Sequence, residues 1–152
     1  MSDYQFVTIW NIDADVERVW DVIEAVEAWP EWWKGVLRVE ELKKGDESGV
    51  GSIRRTVWRS ALPYELEFDS EVVSVERLKL IEARAFGELD GHGLWHFESI
   101  SPDRTRVMYE WNVKTTKAWM NLLAPIAGPV FRWNHDTIMR WGEEGLKMRL
   151  GL

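Results

Sequence analysis

Between Val36 and Lys114 the chain is punctuated in the manner of antiparallel strands joined by short turns, and this constrains the fold more than any other feature. Lys43-Lys44-Gly45-Asp46 and Ser48-Gly49, then Leu62-Pro63, Glu76-Arg77, Gly87-Glu88 and Ser101-Pro102-Asp103 interrupt the segment with turn-forming residues. The stretches between them predict strands near Val36–Leu42, Gly51–Ser60, Tyr64–Val75, Lys79–Phe86, Leu89–Ile100 and Thr105–Lys114. Tyr4–Ile12 alternates in the same way and predicts a seventh strand, first in chain order.

Helices flank this run. Asp13 or Asp15 can cap a helix whose apolar stripe is Val16, Val19, Trp20, Val22, Ile23 and Val26. Ala28 to Gly35 predicts a short second helix, with Pro30 in its first turn and Gly35 at its end. After the last strand, Ala118–Ala127 is a short apolar segment. Gly128-Pro129 is then expected to open a long helix to about Arg149, with Pro129 at its first position. No repeat, linker or low-complexity stretch divides the chain, so residues 1–152 are read as a single domain.

Strand alternation assigns faces. Glu65, Glu67, Asp69 and Glu71 share a face that must be solvated, which turns Tyr64, Leu66, Phe68, Ser70 and Val72 inward. Arg55 and Arg59 are expected opposite those carboxylates. Arg54, Thr56 and Trp58 then face inward, and a buried Arg54 would need a partner or a ligand acid. Val107, Tyr109, Trp111 and Val113 form a second inward set, and Leu89, Gly91, Gly93, Trp95 and Phe97 a third. Two glycines there suit a bend or the close approach of another element. On the long helix, Val130, Asn134, Thr137, Ile138, Trp141, Gly145 and Met148 form an arc expected to face the sheet. Asn134 and Thr137 make that arc more polar than a solid core requires.

Composition excludes several classes. A net charge of −7 argues against a nucleic-acid backbone or an anionic membrane surface as partner. The absence of cysteine removes disulfides, thiolate nucleophiles and Cys-ligated zinc. The N-terminal residues lack the blocks of a signal peptide, and Leu122–Phe131, interrupted by Pro125 and Pro129, is too short to span a bilayer, so a cytoplasmic location is expected. His92 and His96 lie about 13 Å apart on a regular strand, too far to share a metal ion, and neither a metal nor a cofactor is expected. Eleven tryptophans must either thicken a core or line a cavity.

Several segments carry a family resemblance. Ile12-Asp13-Ala14-Asp15-Val16-Glu17-Arg18-Val19-Trp20, Trp29-Pro30-Glu31-Trp32-Trp33 and Gly87 to Trp95 resemble the START-like (SRPBCC) superfamily, although Asp15 stands where a proline is more usual. Thr115 to Leu123 and Phe131-Arg132-Trp133-Asn134-His135-Asp136 are similar to a bacterial subgroup labelled polyketide cyclase. The superfamily also includes the birch-pollen allergen and coenzyme Q-binding proteins. The resemblance implies an α+β helix-grip fold: a seven-stranded curved antiparallel sheet wrapped around a long C-terminal helix, with two short helices between strands 1 and 2. It also implies a cavity between sheet and helix.

Two functions fit. The first is binding or carriage of a hydrophobic small molecule (lipid, polyketide or quinone-like), with Arg54, Trp58, Tyr64, Phe68, Trp95, Tyr109, Trp111, Asn134, Thr137, Ile138 and Trp141 as candidate ligand-binding residues. The second is a polyketide aromatase/cyclase or dehydratase, with His135 and Tyr109 as candidate acid–base groups in the same cavity. Adjacent helical residues point about 100° apart, so His135 and Asp136 are not expected to form a hydrogen-bonded dyad. Oligomeric state is open at this level.

Overall fold

The computed structural model describes residues 3–60, 62–115 and 124–152. Seven strands, β1 (Asp3–Ile12), β2 (Val36–Lys43), β3 (Ile53–Trp58), β4 (Leu66–Glu76), β5 (Leu80–Gly87), β6 (Leu89–Ser101) and β7 (Arg104–Thr115), form one antiparallel sheet in the order β1-β7-β6-β5-β4-β3-β2. Consecutive strands from β2 to β7 are neighbours, as short turns require. The connection from β1 to β2 instead carries helix α1 (Val16–Glu24), a 3-10 turn (Val26–Ala28) and the short helix α2 (Trp29–Trp32). The long helix α3 (Ala124–Arg149) completes the helix-grip fold.

Local chemistry accounts for the element ends. The Asp15 carboxylate accepts a hydrogen bond from the Arg18 amide at 3.2 Å and so caps α1. The face that follows buries Val19, Trp20 and Ile23, each apolar side chain of this kind contributing roughly 1.5–3 kcal/mol. The Arg18 guanidinium reaches further, donating to the Leu150 carbonyl at 2.7 Å and tying α1 to the residue just past α3. Pro30 lies in the first turn of α2, where its missing N–H costs nothing. Gly35 takes a φ of +103°, which reverses the chain into β2.

The strand faces fall as their alternation dictates. Arg55 stands opposite Asp69 and donates to both its carboxylate oxygens, at 2.9 and 3.1 Å, on the solvated face. The inner faces of β6 and β7 meet at two glycines. A Cβ on Gly91 would collide with the Asn112 carbonyl, and one on Gly93 would lie 2.5 Å from the Tyr109 hydroxyl. These glycines therefore allow β7 and its rings to approach β6.

Helix α3 departs from expectation in two ways. It begins before Pro129, which lies inside it and leaves one i→i−4 hydrogen bond unmade. The expected Ala118–Ala127 segment falls largely outside the described residues. The buried stripe is also rotated: Phe131, Met139 and Leu146 are buried, whereas Val130 (43%) and Met148 (79%) of the expected arc are exposed, although Thr137 of that arc is buried. The cause is α2. Gly142 lies against the Trp33 ring and Gly145 against the Trp32 carbonyl, contacts that any Cβ would block, and the Trp33 indole donates to the Ile138 carbonyl at 2.9 Å. Docking on α2, not only on the sheet, sets the helix rotation.

The tryptophans divide between two roles. Trp10, Trp20, Trp32 and Trp33 are buried in the main core with Ile12, Val19, Ile23, Phe97, Val107 and Leu146. Trp133, half-exposed on α3, belongs to neither core nor cavity. Trp119 lies outside the described residues. Among the described residues no helix is long and apolar enough to cross a membrane.

Candidate functional site

A cavity of about 120 Å³ lies between the inner face of the sheet and α3. Period-2 alternation aims its sheet wall: Tyr4 and Phe6 from β1, Trp58 from β3, Leu66 and Phe68 from β4, Leu89 and Trp95 from β6, and Tyr109, Trp111 and Val113 from β7. Tyr64, just before β4, joins them, and Trp29 and Trp33 extend the wall at α2. Phe131, Asn134, His135, Ile138 and Met139 close it from α3, at helical spacings of three and four. Rings pack on rings: Trp95 and Tyr109 lie 4.2 Å apart between centroids, and Phe68 and Trp111 5.5 Å.

On the α3 side of the cavity three polar side-chain atoms lack partners among the described residues. Both His135 ring nitrogens and the Asn134 Oδ1 are buried without a hydrogen-bond partner among the described residues. His135 stacks on Phe6 at 4.2 Å and 13° between planes. Burial pushes its imidazole down to about pKa 4 against the pull of Asp136, so the ring is neutral at pH 7. Its Nδ1 stands 3.7 Å from the Asp136 carboxylate, beyond hydrogen-bond reach, so no dyad forms. Burial also raises the Tyr109 phenol far above its ordinary value, which keeps it protonated.

A second, smaller cavity of about 70 Å³ lies against the first, sharing Trp29, Trp58, Phe68, Trp95, Tyr109 and Trp111 with it. Arg54 lines this one and not the larger. Its Nε donates to the Glu27 carboxylate at 2.7 Å and its Nη1 to the Ser52 hydroxyl at 3.3 Å. The cation thus has a protein partner, supplied by the 3-10 turn before α2.

Of the residues singled out in the sequence, Trp58, Tyr64, Phe68, Trp95, Tyr109, Trp111, Asn134, His135 and Ile138 meet around the larger cavity. Three do not. Arg54 is placed as just described. Thr137 is buried at 3% exposure away from both cavities, its hydroxyl without a partner among the described residues. Trp141 packs against the main core, with the Lys34 ammonium 4.5 Å from its ring centre. The position of Trp141 follows from the rotation of α3 onto α2, which brings its ring against Gly35. The unforeseen liners Phe131 and Met139 belong to the rotated stripe, whereas Tyr4 and Phe6 were readable from the alternation of β1. Among the described residues no three His, Asp or Glu side chains converge as metal ligands.

The fold is shared with solved structures. Zhui aromatase/cyclase from Streptomyces sp. R1128 superposes with a TM-score of 0.80 at 14% identity, over 97% of this chain and 93% of that one. A START superfamily protein from Mycobacterium smegmatis gives 0.77 at 14% identity, over 95% of each chain. TTHA0849 from Thermus thermophilus gives 0.72 at 20% identity, over 94% and 97%. None of the curated proteins matches the chain in sequence. The pattern of one family, polyketide cyclase / dehydrase and lipid transport, matches residues 12–140. By that match, and with the helix-grip architecture built as described, the chain belongs to the polyketide cyclase / dehydrase and lipid transport family of START-like proteins.

Proposed function

We propose that the protein binds a small hydrophobic molecule in the cavity between the sheet and α3. One observation carries this reading: the described lining is aromatic and aliphatic, with no side chain charged at pH 7 and with a few unpaired polar atoms gathered on α3. Such a wall gains free energy by removing apolar ligand surface from water, and the isolated polar atoms give the ligand one orientation. At about 120 Å³ the space falls well below the roughly 300–1,000 Å³ of drug-sized sites, so a compact ligand, or one ring of a larger lipid, polyketide or quinone, is the natural occupant. Native mass spectrometry followed by solvent extraction tests the reading. A co-purifying or captured apolar molecule supports it, and repeated failure to capture any hydrophobic ligand rejects it.

A second reading, an aromatase/cyclase or dehydratase, draws on His135 and Tyr109 meeting in one cavity, as a neutral imidazole and a protonated phenol. In an aldol or dehydration step the phenol would donate to a carbonyl oxygen while the bare imidazole nitrogen takes a proton from carbon. The electrostatics disfavours it. A general base works best with a pKa near the working pH, and burial holds His135 near 4. His135→Ala and Tyr109→Phe should each abolish turnover of a carrier-bound polyketide if this reading holds, and unchanged rates reject it.

A further inference from the structure

The geometry points to a narrower ligand class, resting on the binding reading above: an uncharged, single-ring aromatic bearing a hydroxyl, that is, a molecule of the phenol class. Three independent features select it.

The first is volume. An apolar cavity of about 150 Å³ in another protein holds one benzene ring, and the space here is about 120 Å³, walled by flat rings. A fused bicyclic ligand fits within the cavity only if the aromatic partition shared with the smaller cavity moves, and otherwise leaves its second ring outside the wall. A single ring needs neither.

The second is charge. No Lys, Arg, Asp or Glu occurs among the described lining residues. A carboxylate or ammonium taken into such a space would be desolvated with no counter-ion. The inward-facing Arg54 is held by Glu27 at 2.7 Å on the smaller cavity, and the exposed Arg132 lies over the Phe6 ring at 5.0 Å without joining the lining.

The third is the pattern of polar atoms. Asn134 holds an unpaired acceptor and neutral His135 one donor and one acceptor; all three atoms lie closed within the wall, so a ligand hydroxyl reaches them through a small rotation of either side chain. A hydroxyl both donates and accepts, so one such group can answer either residue. A hydrocarbon ring leaves every one of these atoms buried and unpaired.

Isothermal titration calorimetry of the full chain at pH 7 with phenol, toluene, benzoate and 1-naphthol tests this. Phenol should bind roughly fivefold to tenfold more tightly than toluene, the effect of one net hydrogen bond. Benzoate should give no measurable heat, and 1-naphthol should bind more weakly than phenol. His135→Phe keeps a ring on Phe6 but removes both nitrogens, and Asn134→Leu removes the acceptor; each should bring the phenol-to-toluene ratio down toward one. Equal binding of phenol and toluene by the wild-type protein overturns the hydroxyl preference and leaves hydrophobic binding standing. Preference for benzoate or 1-naphthol overturns the charge or size argument in the same way. Failure of every probe, toluene included, overturns the binding reading itself. The wild-type ratios decide the matter even if a variant does not fold.

Discussion

Gly93 of β6 makes room for the Tyr109 hydroxyl of β7: a Cβ at Gly93 would lie 2.5 Å from that oxygen and 3.0 Å from the Trp111 ring. The space a methyl group would occupy is filled by the phenol that walls the cavity. Gly93→Ala should displace Tyr109, costing about 1–3 kcal/mol through overpacking. Gly91→Ala should cost more, because its Cβ meets the Asn112 carbonyl and the Val113 backbone, which cannot rotate away. Urea denaturation of both variants checks the ranking, and a smaller loss for Gly91→Ala would contradict it.

Stability should fall in mildly acidic solution because of His135. Its side chain is 12% exposed and its imidazole protonates only near pH 4, against an ordinary 6.5 in the unfolded chain. Between those values the unfolded state binds the extra proton. The histidine's contribution is therefore complete above pH 6.5 and is lost as the pH falls toward 4. By pH 5 the loss reaches about 2 kcal/mol. Urea midpoints at pH 7 and pH 5 should show it in the wild-type protein, and His135→Phe should remove most of the difference. An identical pH slope in both proteins would show that other groups cause it.

Much of the sheet side of the site was legible because a strand offers two faces and no more. Once Glu65, Glu67, Asp69 and Glu71 had to be solvated, Phe68 was turned inward. The turns bounding β6 and β7 did the same for Trp95, Tyr109 and Trp111. The helix side was less legible. Val130, Phe131, Trp133, Ile138, Met139, Trp141, Leu146 and Met148 surround α3 on several sides, so periodicity alone does not select the buried stripe. The choice is made by tertiary contact, where Gly142 and Gly145 admit Trp33 and Trp32. Arg54 shows the same limit: its inward direction follows from alternation, but its partner Glu27 comes from a turn far away in the chain. Whether tryptophans line or fill the space was likewise a packing question, and both occur.

Trp33 should act as the latch between α2 and α3. Its indole donates to the Ile138 carbonyl at 2.9 Å, its ring fills the space against Gly142, and it is 1% exposed. Trp33→Phe removes the donor and leaves a gap, an expected loss of about 2–4 kcal/mol. Because Ile138 lines the cavity, hydrophobic ligand binding should weaken along with stability. Thermal melting with and without toluene measures both effects. A melting temperature within about 2 °C of wild type would show that the latch contributes little.

Tyr109→Phe should separate packing from chemistry. The phenol ring is wedged between Trp95 and Trp111, at 4.2 and 5.9 Å between centroids, and Phe retains that stack. Tyr109 is half-buried on the cavity wall, and the desolvation of its phenol raises its pKa, with no hydrogen bond contributing. A cavity-wall hydroxyl that makes no hydrogen bond among the described residues contributes little to folding, so its removal should leave stability unchanged or slightly improved, within about 1 kcal/mol. In a protein of this length that corresponds to a melting shift of roughly 2–4 °C at most. A fall beyond about 5 °C would mean that the hydroxyl is bonded in the folded protein. Retained stability together with retained hydrophobic binding makes the variant a clean test of the cyclase reading, since any loss of turnover would then belong to the hydroxyl and not to a disturbed wall.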